Sequence, residues 1–121
     1  MHKILVVDDE PDLLSATKSL LERNNFEVCA ISTGKDIDAA LFSFEPGLVL
    51  LDISIGDLDG RVICRYIKTR QETSHIQVVL FSGNSNVRET IPQFLADGFV
   101  EKPFSKKELL DSINAALNKS I

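Results

Sequence analysis

Apolar and polar positions in this chain fall into two kinds of block that take turns. Short unbroken apolar runs read as strands buried on both faces. Between them, apolar residues recur at i, i+3, i+4 and i+7, the stripe of an amphipathic helix. Lys3 to Val7 is the first such strand, and it ends on Asp8-Asp9. Pro11 suits the first turn of a helix, with Asp9 or Glu10 as its cap. Leu13, Leu14, Thr17, Leu20 and Leu21 carry that helix until Asn24-Asn25 stops it. Phe26 to Ser32 reads as a second strand, followed by the turn Ser32-Thr33-Gly34. Ile37, Ala40, Leu41 and Phe44 then give a second helical stripe, broken by Pro46-Gly47.

The next run, Leu48-Val49-Leu50-Leu51, closes on the single carboxylate of Asp52. A loop over Gly56 to Gly60 leads to a third helix on Val62, Ile63, Tyr66 and Ile67. Ile76 to Phe81 is a further strand ending at Ser82-Gly83. A fourth helix is expected from about Asn86 on Val87, Ile91, Phe94 and Leu95, with Pro92 making it short, kinked or late to start. Phe99-Val100 is a minimal fifth strand ending near Lys102-Pro103. Ser105 and Glu108 form a capping box for a last helix on Leu109, Leu110, Ile113, Ala116 and Leu117.

Five strands alternating with five helices predict an α/β fold: a five-stranded parallel sheet, doubly wound, with helices on both faces. Right-handed crossovers leave few topologies, and the flavodoxin-like order 2-1-3-4-5 is the expectation. That order puts its switch point between the strands ending on Asp8-Asp9 and on Asp52. Ligand crevices in open α/β sheets lie beyond the carboxyl ends of the strands.

Composition changes this picture little. At 121 residues the chain has the size of one domain, with 44% hydrophobic and 26% charged residues. The net charge of −5 argues against a nucleic-acid-binding surface within it. Cys29 and Cys64 lie far apart without a CxxC pattern, which points to core packing in a reducing compartment. Only four apolar residues separate Met1-His2-Lys3 from Asp8, so no signal-peptide pattern opens the chain, and no apolar run approaches membrane-spanning length. The expectation is a cytoplasmic protein with no membrane association.

The carboxyl ends of the strands bring together Asp8, Asp9, Asp52, Ser82 and Lys102. At an effective dielectric near 20, two carboxylates about 4 Å apart repel by about 4 kcal/mol, so a cluster of three calls for a cation. The donors are all oxygen, with no His or Cys pair, which selects a hard metal; Mg²⁺ fits best, and the backbone carbonyl of Ser54 could add a ligand. An aspartate beside Mg²⁺ can act as a nucleophile toward phosphorus. Lys102 can supply a balancing cation and Ser82 a hydroxyl donor to a phosphoryl oxygen. Each residue alone also has an ordinary reading: Asp8-Asp9 as a helix cap, Asp52 or Ser82 as turn residues, Lys102 as a solvated lysine. Their convergence on one sheet edge is what favours chemistry.

With those residues in place, the sequence resembles a response-regulator receiver domain of two-component signalling, across essentially its whole length, residues 1–121. The resemblance rests on Ile4-Leu5-Val6-Val7-Asp8-Asp9-Glu10, Leu50-Leu51-Asp52, Asp59-Gly60, Ser82, and Phe99 through Lys102-Pro103-Phe104. It implies that Asp52 is the phosphoacceptor and that Asp8, Asp9, Asp52 and the Ser54 carbonyl hold Mg²⁺. It implies that Ser82 and Lys102 contact the phosphoryl group and that the Phe99 rotamer follows Ser82. The Lys102-Pro103 bond is expected to be cis. The implied donor is a sensor histidine kinase or phosphotransfer protein, and the implied output is a switched surface for a downstream protein. That surface comprises the fourth helix, fifth strand and last helix, and serves a monomer or weak dimer. Such a module is a switch rather than an enzyme, catalysing only its own phosphorylation and dephosphorylation.

Two positions depart from the pattern: Gly56 stands where the family usually has proline, and is expected to loosen the loop over the site, and Gly83 stands where alanine is common, still small enough to admit a phosphoryl group. Ser54 and Asn84 occupy the two variable positions flanking the site. Other readings fit less well. A haloacid-dehalogenase-type phosphohydrolase wants a second aspartate where Ser54 stands, and a flavodoxin-like cofactor binder would meet Asp8-Asp9-Glu10 where it needs a phosphate cradle. A receiver-like interaction module that works without phosphorylation is the remaining alternative.

Overall fold

The structure, a computed structural model, describes residues 1–118 and, at Ser85, the backbone. Five strands form one parallel sheet: β1 (Lys3–Val7), β2 (Glu27–Ile31), β3 (Leu48–Asp52), β4 (Gln77–Ser82) and β5 (Gly98–Glu101). Their spatial order is β2-β1-β3-β4-β5, the expected 2-1-3-4-5. The helices are α1 (Pro11–Arg23), α2 (Ile37–Phe44), α3 (Gly60–Thr69) and α4 (Lys106–Asn118). The last three positions of the expected 1–121 domain lie outside the described residues.

Strand alternation sorts the core into two layers. Leu5, Val7, Val49, Leu51, Val78 and Leu80 face α2 and α3, where they meet Leu41, Cys64 and Ile67. Ile4, Val6, Leu48, Leu50, Val79 and Phe81 face α1 and α4, where they meet Leu21, Leu109 and Ile113. Every residue of β3 and β4 is buried, the apolar runs as expected and with them the polar Asp52, Gln77 and Ser82. Pro11 opens α1 at its first turn. Ser105 and Glu108 form the reciprocal capping box before α4, with the Glu108 amide donating to Ser105 Oγ at 3.0 Å and the Ser105 amide to Glu108 Oε1 at 3.1 Å.

Three expectations are corrected. The fourth helix is not α-helical: Ser85–Phe94 is a run of 3₁₀ structure with Pro92 inside it. Proline cannot donate to the i−4 carbonyl, and the segment uses i→i+3 bonds such as that from the Leu95 amide to the Pro92 carbonyl. Neither Asp9 nor Glu10 caps α1 through its side chain; Glu10 holds the N-cap position without a side-chain bond. The segment expected to be loosened by Gly56 is a closed hairpin. Ser54-Ile55 pairs antiparallel with Leu58-Asp59 across a two-residue turn in which Gly56 takes φ +57°.

Candidate functional site

The three carboxylates arrive at one place because β1 and β3 are neighbours in register, with Val7 beside Leu51. Asp8 follows the last residue of β1, and Asp52 is the last residue of β3. Carboxylate oxygens of Asp8, Asp9 and Asp52 all lie within 4.8 Å of one another. Asp8 is fully buried and Asp52 nearly so, while Asp9 is exposed. Asp8 Oδ1 accepts a hydrogen bond from the Glu10 amide at 3.0 Å, and Asp52 Oδ1 accepts one from the Ser54 amide at 3.1 Å. Asp9 Oδ2 accepts one from the Gly56 amide at 2.7 Å.

Lys102 comes in from the turn after β5, held by the hydrogen bond that its backbone N–H donates to the Ser82 carbonyl at 2.8 Å. Its Nζ lies 3.1 Å from Asp52 Oδ2 and 3.8 Å from Asp8 Oδ2. The Lys102-Pro103 peptide is cis, as expected. Asp8 Oδ2 is buried without a hydrogen-bond partner, an arrangement that costs free energy unless a cation completes it. Burial pushes the Asp8 carboxyl up to about 6; the Glu10 amide and the Lys102 charge oppose the shift, and the neighbouring Asp52 adds to it. The orphaned oxygen, the all-oxygen donor set and the spacing fit a hard divalent ion such as Mg²⁺.

Ser82 ends β4, next to the strand that carries Asp52, and its buried hydroxyl accepts a hydrogen bond from the Asn84 amide at 3.0 Å. Phe99 on β5 is half-buried against the α2/α3-side core, and the Arg88 guanidinium lies 4.9 Å from its ring centroid. A cavity of about 330 Å³ opens on the Ser82 side, lined by Ser54, Gly56, Arg61, Ser82 and Asn84. The structure thus gathers Asp8, Asp9 and Asp52 within 4.8 Å of one another, with Lys102 Nζ and the Ser54 amide on Asp52 and Ser82 at the adjoining strand end.

Sequence reasoning missed two contributors. The first is the Gly56 amide on Asp9. The second is Arg61, whose guanidinium holds both oxygens of Asp59 and donates to Thr90 Oγ1 at 2.7 Å, tying α3 to the 3₁₀ segment. Hydrogen bonds from Arg61 hold the Asp59 carboxyl below the usual carboxylate range. Asp59 also caps α3 by accepting from the Arg61 amide at 2.9 Å. Gly60 is required where it stands: a Cβ there would lie 2.9 Å from both the Asp52 carbonyl carbon and the Ile53 Cα. Cys64 is buried and its thiol is pushed up to about 12 by burial, in keeping with a packing role.

This geometry has relatives. The chain is 32% identical to the transcriptional regulatory protein GltR of Pseudomonas aeruginosa over 121 residues, which covers 98% of this chain and 50% of that protein. The chain therefore spans about half the length of that curated relative. The receiver domain protein (CheY-like) of Methanospirillum hungatei JF-1 superposes with a TM-score of 0.89 at 24% identity, covering 99% of this chain and 96% of that one. The receiver domain of the sensor histidine kinase PA1611 from Pseudomonas aeruginosa PAO1, solved with a magnesium ion coordinated in its active site cleft, gives a TM-score of 0.85 at 20% identity, with 97% and 98% covered. Among the described residues, no helix is long and apolar enough to cross a membrane. Residues 4–114 match the response regulator receiver domain, and the chain belongs to that family.

Proposed function

We propose that this receiver domain accepts a phosphoryl group on Asp52 from a sensor histidine kinase or phosphotransfer protein and switches a protein-binding surface in response. The observation that carries the reading is a cluster of three carboxylates in which Lys102 Nζ lies 3.1 Å from Asp52 and 3.8 Å from Asp8 Oδ2, a buried oxygen that no hydrogen bond satisfies. Asp8, Asp9, Asp52 and the Ser54 backbone carbonyl would hold Mg²⁺, which when bound supplies charge neutralisation for the phosphoryl oxygens. An Asp52 carboxylate oxygen forms the bond to phosphorus as the phosphorus–nitrogen bond of the donor's phosphohistidine breaks. Lys102, already beside Asp52, balances the transferring charge. The donor leaves with its histidine free, and later hydrolysis of the aspartyl phosphate releases inorganic phosphate.

The new group brings roughly −1.5 to −2 charge and three acceptor oxygens. Ser82 Oγ, now engaged by the Asn84 amide, turns to donate to one of them. Phe99 moves into the space that Ser82 leaves. The 3₁₀ segment, β5 and α4 then present a changed surface to a downstream protein, or to a second copy in a weak dimer. A cytoplasmic setting suits this role. The test is incubation with acetyl phosphate, with and without Mg²⁺, read by intact mass. One phosphate adduct is expected with Mg²⁺ and none in Asp52→Asn; an adduct that persists in that variant overturns the assignment.

A further inference from the structure

Gly56 does two things that the proline usual at its position in this family cannot do. It adopts φ +57°, whereas proline is fixed near −65°, and it donates its amide to Asp9 Oδ2 at 2.7 Å, whereas proline has no N–H. Asp9 is the exposed member of the carboxylate cluster. A short exposed side chain is free to rotate away, and none of the hydrogen bonds or ion pairs described above holds Asp9 except this one. The turn that aims the amide is itself fixed. The Ser54–Asp59 and Ile55–Leu58 pairs close the hairpin, and the Gly60 amide bonds the Ile53 carbonyl at 2.6 Å.

We propose that the Gly56 amide is a positioning group for metal binding: it holds the Asp9 carboxylate in the cluster, so that occupancy of the cation site and the shape of the 54–59 hairpin are coupled through one hydrogen bond. The proposal rests on the metal-binding reading above. The carboxylate keeps a second oxygen, and lone pairs on the first, for an ion while it accepts the Gly56 bond. Partners that orient a ligand in this way change metal affinity by about 10- to 100-fold when lost, and the exposure of Asp9 puts this one near tenfold.

The test is a calorimetric titration of Mg²⁺ into wild type, Gly56→Ala and Gly56→Pro without any phosphodonor, paired with the NMR resonance of the Gly56 amide. Gly56→Pro is expected to bind Mg²⁺ about tenfold more weakly. Gly56→Ala keeps the N–H, and its Cβ would have nothing within 4 Å. Only the left-handed backbone opposes it, so its affinity is expected to fall less than that of Gly56→Pro. In wild type, the Gly56 amide proton is expected downfield and to return toward the random-coil position in Asp9→Ala. If Gly56→Pro fails to fold, the same resonance followed through the Mg²⁺ titration of wild type decides the matter, and a Gly56 amide that does not move as the ion binds overturns the coupling. Wild-type affinity in Gly56→Pro, or a Gly56 resonance that ignores Asp9→Ala, overturns this proposal alone. A wild-type protein that takes up no Mg²⁺ while its Gly56 amide responds to Asp9→Ala overturns the metal reading and the proposal with it.

Discussion

Lys102 Nζ lies 3.1 Å from Asp52 Oδ2, and this contact joins the end of β3 to the turn after β5. Lys102 is the cation that offsets the buried acids, with its side chain only 21% exposed. Removing one member of such a pair strands the other, at several kcal/mol when both are fully buried. Lys102→Met is therefore expected to destabilise the metal-free protein by about 2 kcal/mol at pH 7, and Lys102→Arg by less. Urea denaturation with and without Mg²⁺ checks this: the deficit should shrink when the ion is present. A Lys102→Met midpoint equal to wild type in both conditions would remove the lysine from the charge balance.

Asp8 gives the metal-free protein a specific pH dependence. Its folded carboxyl is raised from the ordinary 3.8 to about 6, so the folded state holds the proton more tightly than the unfolded chain. That contribution is fully present below about pH 4 and is lost as pH rises through about 6, a swing of about 3 kcal/mol. Asp8→Asn removes the titration and should be the more stable protein above pH 6, while losing Mg²⁺ affinity. Denaturation in chelator between pH 4 and 8 measures the difference between the two proteins. A difference that does not grow across that window would show that Asp8 is not the group responsible.

Gly60 abuts the Asp52 carbonyl too closely for any side chain. Both neighbours are backbone atoms of the strand end, so they cannot swing away as a side-chain tip would. Gly60→Ala should cost about 1–3 kcal/mol and shift Asp52 itself. Slower adduct formation with acetyl phosphate, out of proportion to the fall in melting temperature, is the expected signature. An unaffected rate would mean that the strain is absorbed inside α3.

The proposed coupling of Ser82 to Phe99 can be tested without a downstream protein. In wild type, the Phe99 ring resonances should shift on phosphorylation. In Ser82→Ala, the adduct should still form, more slowly, but the Phe99 shift should largely vanish. Equal Phe99 shifts in the two proteins would separate the ring from the hydroxyl.

The sheet order was legible because β3 and β4 are unbroken apolar runs, and such runs have one home, a parallel sheet covered on both faces. The acidic site was legible because a fixed strand order carries Asp8, Asp9, Asp52, Ser82 and Lys102 to one edge. What was not legible depends on backbone detail. The stripe Val87, Ile91, Phe94, Leu95 has helical spacing, yet Pro92 and a 3₁₀ hydrogen-bond pattern decided the segment. Gly56 read as slack because glycine frees the unfolded chain. In the fold, its positive φ and its amide make it an anchor, and neither is visible without the turn. Arg61 gave no signal, since a charged residue at the start of a helix is usually solvated and this one reaches across to Thr90.

The 3₁₀ architecture of Ser85–Phe94 also sets how readily that stretch comes apart. The bonds at its two ends are long, the Val87 amide reaching the Asn84 carbonyl at 3.4 Å and the Leu95 amide the Pro92 carbonyl at 3.3 Å. Longer 3₁₀ runs are uncommon because their hydrogen bonds are poorly aligned. Local opening there costs less than in β3 or β4, and deuterium should enter its amides well before those of the buried strands. A stretch of backbone cheaper to remodel than the buried strands thus begins three residues after Ser82, at the very strand end that carries the hydroxyl.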